Sequence, residues 1–112
     1  MATLTTQNMI NQLILLPSST VALLKKIDEQ NMSIAAKKQW KIIINQLWRA
    51  EETGLNEDFF YIFDDAVSNV DIFAQLYNGN SKDITSLKSS LKKARKELAE
   101  DLSVMLADIA AM

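Results

Sequence analysis

The fold of this chain is constrained most by how few residues can interrupt regular structure: one proline and two glycines among 112 residues. Pro17, Gly54 and Gly79 each follow a segment in which apolar residues recur every three or four positions. This spacing puts the apolar side chains on one side of an α-helix. Proline or glycine commonly stands just beyond a helix end. The sequence therefore predicts helices joined by short turns at these points.

The predicted fold class is all-α, because the alternation of apolar and polar residues that is typical of strands does not recur along the chain. Short turns favour antiparallel neighbours, so we expect a compact antiparallel helical bundle of three long and two short helices, in a single domain over residues 1–112. The first predicted helix follows Thr5/Thr6 and ends at Pro17, and the second is capped by Ser18 or Ser19 and continues through Ile27. The next two cover residues 33–53 and 57–77, the latter capped by Asn56. The last begins at Ser81 or Asp83 and has an apolar side that extends from Ile84 to Ile109.

The composition argues against an enzyme and against a metal site. Cysteine and histidine are both absent, which removes the commonest general base and the commonest metal ligand. The two glycines lie 25 positions apart, so there is no glycine-rich phosphate loop. No carboxylate group has the alternating spacing and turn glycine of a calcium loop. We therefore predict no catalytic residues, no bound metal and no cofactor.

The chain also lacks the segments that would direct it to a membrane. Its purely apolar runs are short, as at residues 13–16, whereas a membrane span needs about 20 apolar residues. The first residues carry no basic patch, and the run that ends at Pro17 has no small-residue cleavage site. With no cysteine for disulfides, these features predict a cytoplasmic protein without a membrane partner.

One predicted helix, over residues 57–77, holds all four phenylalanines and both tyrosines of the chain. At about 100° per residue, the phenylalanine side forms a core face. The opposite side carries two rows of carboxylates, with three apolar or aromatic side chains between and beside them. These eight residues are the candidate partner-binding residues: Glu57, Asp58, Tyr61, Asp64, Asp65, Asp71, Ile72 and Leu76.

The charge distribution indicates the kind of partner. Residues 50–81 contain seven acidic residues and no lysine or arginine, and such a field attracts basic surfaces and speeds encounter. We therefore predict a small non-enzymatic module that binds a protein with a basic surface, of the inhibitor, immunity-protein, antitoxin or adaptor type. A row of carboxylates can also mimic nucleic-acid phosphates. The competing interpretation is an acidic face whose apolar members are covered by the two short N-terminal helices.

Two further alternatives follow from other residues. Ile42, Ile72, Leu76 and Val104 project away from their own apolar stripes, which suits a homodimer. The last helix carries a basic run, which suits phosphates, but the net charge of −2 and the absence of a nearby aromatic for base stacking argue against nucleic acid. We expect Arg95, at the edge of the apolar stripe, to reach an acid of the 57–77 helix instead. The run comprises Lys88, Lys92, Lys93, Arg95 and Lys96.

Overall fold

The computed structural model describes residues 5–111, and within them the chain forms helices and no strands. The all-α prediction is confirmed. The five helices that it contains are α1 (Thr6–Asn11), α2 (Ser18–Asp28), α3 (Ile34–Thr53), α4 (Glu57–Leu76) and α5 (Ser81–Ala111).

The helices form a closed ring around a shared core. Each packs against two others, in the order α1, α3, α4, α5, α2 and back to α1. Ion pairs from Lys88 to Asp71 and from Arg95 to Asp64 show that α4 and α5 run antiparallel. The Trp40 and Phe73 rings, 5.1 Å apart, join the start of α3 to the end of α4 in the same antiparallel sense. The prediction of an antiparallel bundle is therefore confirmed.

The ends of α3 and the start of α4 form where the local sequence predicts them. The side chain of Ser33 accepts a hydrogen bond from the backbone N–H of Ala36 at 3.2 Å, and Asn56 accepts one from Phe59 at 3.2 Å. These bonds satisfy N–H groups that have no partner inside the helix. Gly54 follows α3 with φ of 80°, a conformation that glycine adopts without steric cost.

The first helix is shorter than its apolar spacing predicts. It ends at Asn11, and residues 13–16 form a loop in which Ile14 is 84 % exposed. The residue before a proline is driven away from helical geometry, which disfavours helix ahead of Pro17. The carboxylate of Glu51 then accepts a hydrogen bond from the Leu15 backbone N–H at 2.6 Å. A tertiary contact thus replaces the last helical turn.

Asp28 joins the three N-terminal helices. Its Oδ1 accepts hydrogen bonds from the Thr6 hydroxyl at 2.7 Å and from the Trp40 indole N–H at 2.9 Å. Thr6 begins α1 and Trp40 lies in α3, while Asp28 ends α2. Because the Trp40 side chain is buried, its N–H needs a partner inside the protein. This carboxylate therefore links the end of α2 to α1 and to α3.

The last helix continues past the bundle. Its buried residues end at Leu98, whereas residues 103–111 are all exposed. The predicted apolar side of this helix is therefore buried over only part of its length. We call residues 99–111 the C-terminal arm.

Candidate protein-binding surface

The outer side of α4 is open to solvent. All eight candidate residues on it are exposed, and Tyr61 keeps 73 % of its accessible area. The phenylalanines Phe59, Phe63 and Phe73 are buried on the opposite side. Within residues 5–111, α1 and α2 pack on each other, on α3 and on α5, but not on α4. The two short helices therefore do not cover this surface.

The carboxylate row nearest α5 is held by that helix. Arg95 binds both oxygens of Asp64, with Nε–Oδ1 at 2.8 Å and Nη2–Oδ2 at 3.1 Å. Lys88 Nζ lies 2.6 Å from Asp71 Oδ1. The hydrogen bond to Asp64 raises the pKa of Arg95 above its ordinary value, so the guanidinium stays charged. The expectation that Arg95 reaches an acid of α4 is confirmed.

The other carboxylates have no such partner. Glu57, Asp58 and Asp65 form no ion pair within the part of the chain that the structure describes. Asp65 lies on the α3 side of α4, four residues before Asn69, which accepts hydrogen bonds from Gln39 of α3. The two predicted rows are therefore not equivalent, because α5 neutralises most of one and leaves the other free.

A cleft lies between the first half of α4 and the start of the C-terminal arm. It has a volume of about 350 Å³. Phe60 lies beneath the guanidinium of Arg95, 5.1 Å from the ring centroid to Cζ, a distance at which the cation and the ring attract each other. The sequence pattern did not predict this cleft. Its lining residues are Glu57, Phe60, Tyr61, Asp64, Arg95 and Ala99.

The four apolar residues considered for self-association are exposed but do not share one surface. Ile42 lies on α3, whereas Ile72 and Leu76 lie on the side of α4 that carries Asn69 and faces α3. Val104 comes nine residues after Arg95 in α5. At about 100° per residue that places Val104 half a turn away from the side that contacts α4. A homodimer through Ile42, Ile72 and Leu76 therefore excludes Val104.

The basic run of α5 is divided by the ion pairs. Lys88 and Arg95 are held by acids of α4, which leaves the exposed residues Lys92, Lys93 and Lys96. Three lysines on one polar helix face are typical of a solvated surface. The prediction against nucleic acid is untested by these contacts and remains a prediction.

Other kinds of site find little support in the described residues. Between Thr5 and Ala111, no three Asp or Glu side chains come close enough together to hold a metal ion. No helix in that range combines the length and the apolar character needed to cross a membrane. Comparison of the chain with protein-family models, with curated proteins and with solved structures finds no match.

Proposed function

We propose that this chain is a non-enzymatic protein-binding module that presents the outer side of α4 to a partner with a basic surface. Inhibitor, immunity-protein, antitoxin and adaptor roles all use such a surface, and a chain without cysteine suits a cytoplasmic setting. The observation that carries the proposal is Tyr61, 73 % exposed on a helix whose opposite side is buried. Around it lie the free carboxylates of Glu57, Asp58 and Asp65.

Tyr61 and the carboxylates of this surface contribute to binding in different ways. Tyrosine is enriched among the residues that dominate interface energies, because its ring buries a large area and its hydroxyl keeps a polar contact. Carboxylates around it mainly raise the association rate of a basic partner. Asp64 and Asp71 contribute less to this field, because Arg95 and Lys88 already neutralise them.

The partner can be identified by site-specific photocrosslinking. Tyr61 is replaced by p-benzoylphenylalanine and the protein is irradiated in native lysate. Crosslinked proteins are then identified by mass spectrometry. The matched control carries the same replacement at Ile34, which is 78 % exposed and lies at the start of α3. A product formed from position 61 and not from position 34 gives the partner for the kinetic test.

The kinetic test measures association at several salt concentrations. The double variant Asp58→Asn/Asp65→Asn should lower the association rate several-fold at low salt and flatten its salt dependence, because screening acts on the charges removed. Glu29→Gln, an exposed acid next to the end of α2, should leave the rate unchanged. Equal rates for the double variant and the wild type at low salt would end the proposal.

Self-association is the second candidate, favoured by the exposure of Ile42, Ile72 and Leu76 on α3 and α4. A standard interface buries about 800 Å² per partner. Sedimentation at micromolar concentration measures directly whether the chain is a monomer or a dimer. A dimer that Ile72→Ser dissociates would support this function, and a monomer at all concentrations would remove it.

A further inference from the structure

The C-terminal arm is an amphipathic helix, and within residues 5–111 no other helix covers the apolar side of its exposed part, residues 103–111. Thirteen residues, 99–111, continue α5 after Leu98, and at about 1.5 Å per residue they extend about 20 Å. The antiparallel register set by Arg95 and Asp64 places residue 102 level with Glu57, the first residue of α4. Later residues of the arm therefore lie beyond the end of α4.

The apolar side of the arm continues the side of α5 that the bundle buries. Successive residues at helical spacing lead from the buried Leu91, Ala94 and Leu98 into this side. Met105, Leu106 and Ile109 are 49 %, 56 % and 64 % exposed. Single exposed apolar side chains are ordinary, but a contiguous group of them commonly marks an interaction site. The apolar stripe of the arm consists of Leu102, Met105, Leu106 and Ile109.

The charges beside this stripe indicate which kind of partner helix binds it. Asp101 and Asp108 stand seven residues apart on one edge of the stripe, and residues 97–111 include no lysine or arginine. Residues at this spacing lie on nearly the same side of a helix, about 10 Å apart. Flanking charges of a helix pair set which partner fits, so the arm favours a helix with cations along its edge.

A second copy of the chain fits this surface poorly. Its own arm supplies no cation to Asp101 and Asp108, and antiparallel pairing of two identical arms brings the two acidic edges together.

We propose that the C-terminal arm binds a cationic amphipathic helix of a partner protein, with apolar residues against the stripe and lysine or arginine against Asp101 and Asp108. Such a partner buries the exposed side chains and neutralises the acidic edge in one contact. This surface lies beyond the outer side of α4, so it can be tested without the α4 interaction.

The probe is an 18-residue synthetic helix of leucine and lysine, with a leucine and glutamate peptide as its counterpart. Fluorescence anisotropy measures binding of the labelled peptide to the full chain at physiological salt. We expect the lysine peptide to bind and the glutamate peptide not to bind. Met105→Gln/Ile109→Gln should weaken binding at least tenfold, and Asp101→Asn/Asp108→Asn should weaken it several-fold, more at low salt.

Val104→Gln is the matched control. Val104 is 59 % exposed in the same arm but points away from the stripe, so its replacement should leave the dissociation constant unchanged. All substituted positions are exposed, and circular dichroism verifies that each variant is folded. Glu29→Gln should also leave peptide binding unchanged, since that exposed acid lies next to the end of α2.

Several results would overturn the inference. Equal weakening by Val104→Gln and Met105→Gln/Ile109→Gln would show that the stripe is not the contact. Loss of binding only in Asp58→Asn/Asp65→Asn would assign the peptide to α4 instead. A dimer in sedimentation that Met105→Gln/Ile109→Gln dissociates would make a second copy the occupant. Partition of the chain into phosphatidylcholine vesicles, lost in the same variant, would make a membrane the occupant.

Discussion

A chain that ends at Ser103 tests whether residues 104–111 of the C-terminal arm belong to the folded core. This deletion removes residues 104–111, all of which are exposed, together with Met112. Exposed substitutions away from special features usually change the free energy of unfolding by less than about 0.5 kcal/mol. Because Leu102 and the buried residues before it are retained, we expect the truncation to cost less than about 1 kcal/mol on this basis.

A buried leucine in the same helix provides the contrast. Leu91 is fully buried, and Leu→Ala at such sites costs about 2.7–5 kcal/mol through lost transfer free energy and the cavity left behind. If the truncation and Leu91→Ala lowered the free energy of unfolding by the same amount, the conclusion that residues 104–111 do not pack on the bundle would be refuted.

Guanidinium denaturation, followed by the fluorescence of Trp40 and Trp48, measures both free energies. The slope of the unfolding transition reports the surface exposed on unfolding, so it should change little when an exposed arm is removed. A loss of more than about 2 kcal/mol, well outside the range for exposed sites, would mean that the arm packs on the bundle. Unchanged stability with loss of lysine-peptide binding would assign the arm to interaction rather than to folding.

Three further predictions concern the bundle. Asp28→Ala should lower the free energy of unfolding by about 2–4 kcal/mol, because it removes two hydrogen bonds to a charged group and leaves the buried Trp40 N–H without a partner. Asp28→Asn keeps a carbonyl acceptor and should lower the free energy of unfolding clearly less. Equal decreases for the two variants in chemical denaturation would contradict the explanation that the lost acceptor causes the effect. Burial raises the pKa of Glu51 above its ordinary 4.5, partly offset by backbone N–H groups of the α1–α2 loop. A raised folded-state pKa adds stability that is present below pH 4.5 and lost as the pH rises through the raised value. Glu51→Gln should remove this dependence of the free energy of unfolding on pH. Parallel curves of stability against pH for the variant and the wild type would refute the prediction. A double-mutant cycle on Arg95 and Asp64 should give a coupling energy of about 0.2–1 kcal/mol that falls with salt concentration, as for exposed ion pairs. A coupling energy that does not change with salt would mean that solvent ions do not screen the pair.

Much of the architecture was predictable because helix ends are encoded locally. Ser33 and Asn56 cap α3 and α4 through bonds to residues three positions later. Gly54 supplies a positive φ that other residues avoid. The first helix was mispredicted because the competing contact, Glu51 to the Leu15 N–H, lies 36 residues away in the sequence. Local spacing carries no information about such a contact.

The candidate surface was predictable only in part. Helical periodicity alone placed Tyr61 opposite the phenylalanines, because both lie on one helix. It did not show that Asp64 and Asp71 are neutralised while Asp65 is free. That difference depends on the register between α4 and α5, which packing of the two helices sets. The Phe60 cleft was missed for the same reason, since its walls come from two helices.

The sequence by itself determined that the chain is helical and which side of each helix is apolar, because both follow from spacing within one segment. Only the tertiary structure decided which apolar residues are covered. Leu98 and Ile109 belong to one continuous stripe of α5, yet Leu98 is buried and Ile109 is exposed. The physical reason is that periodicity gives the direction of a side chain, whereas burial requires a neighbouring helix at that height, and α4 begins at Glu57, level with residue 102.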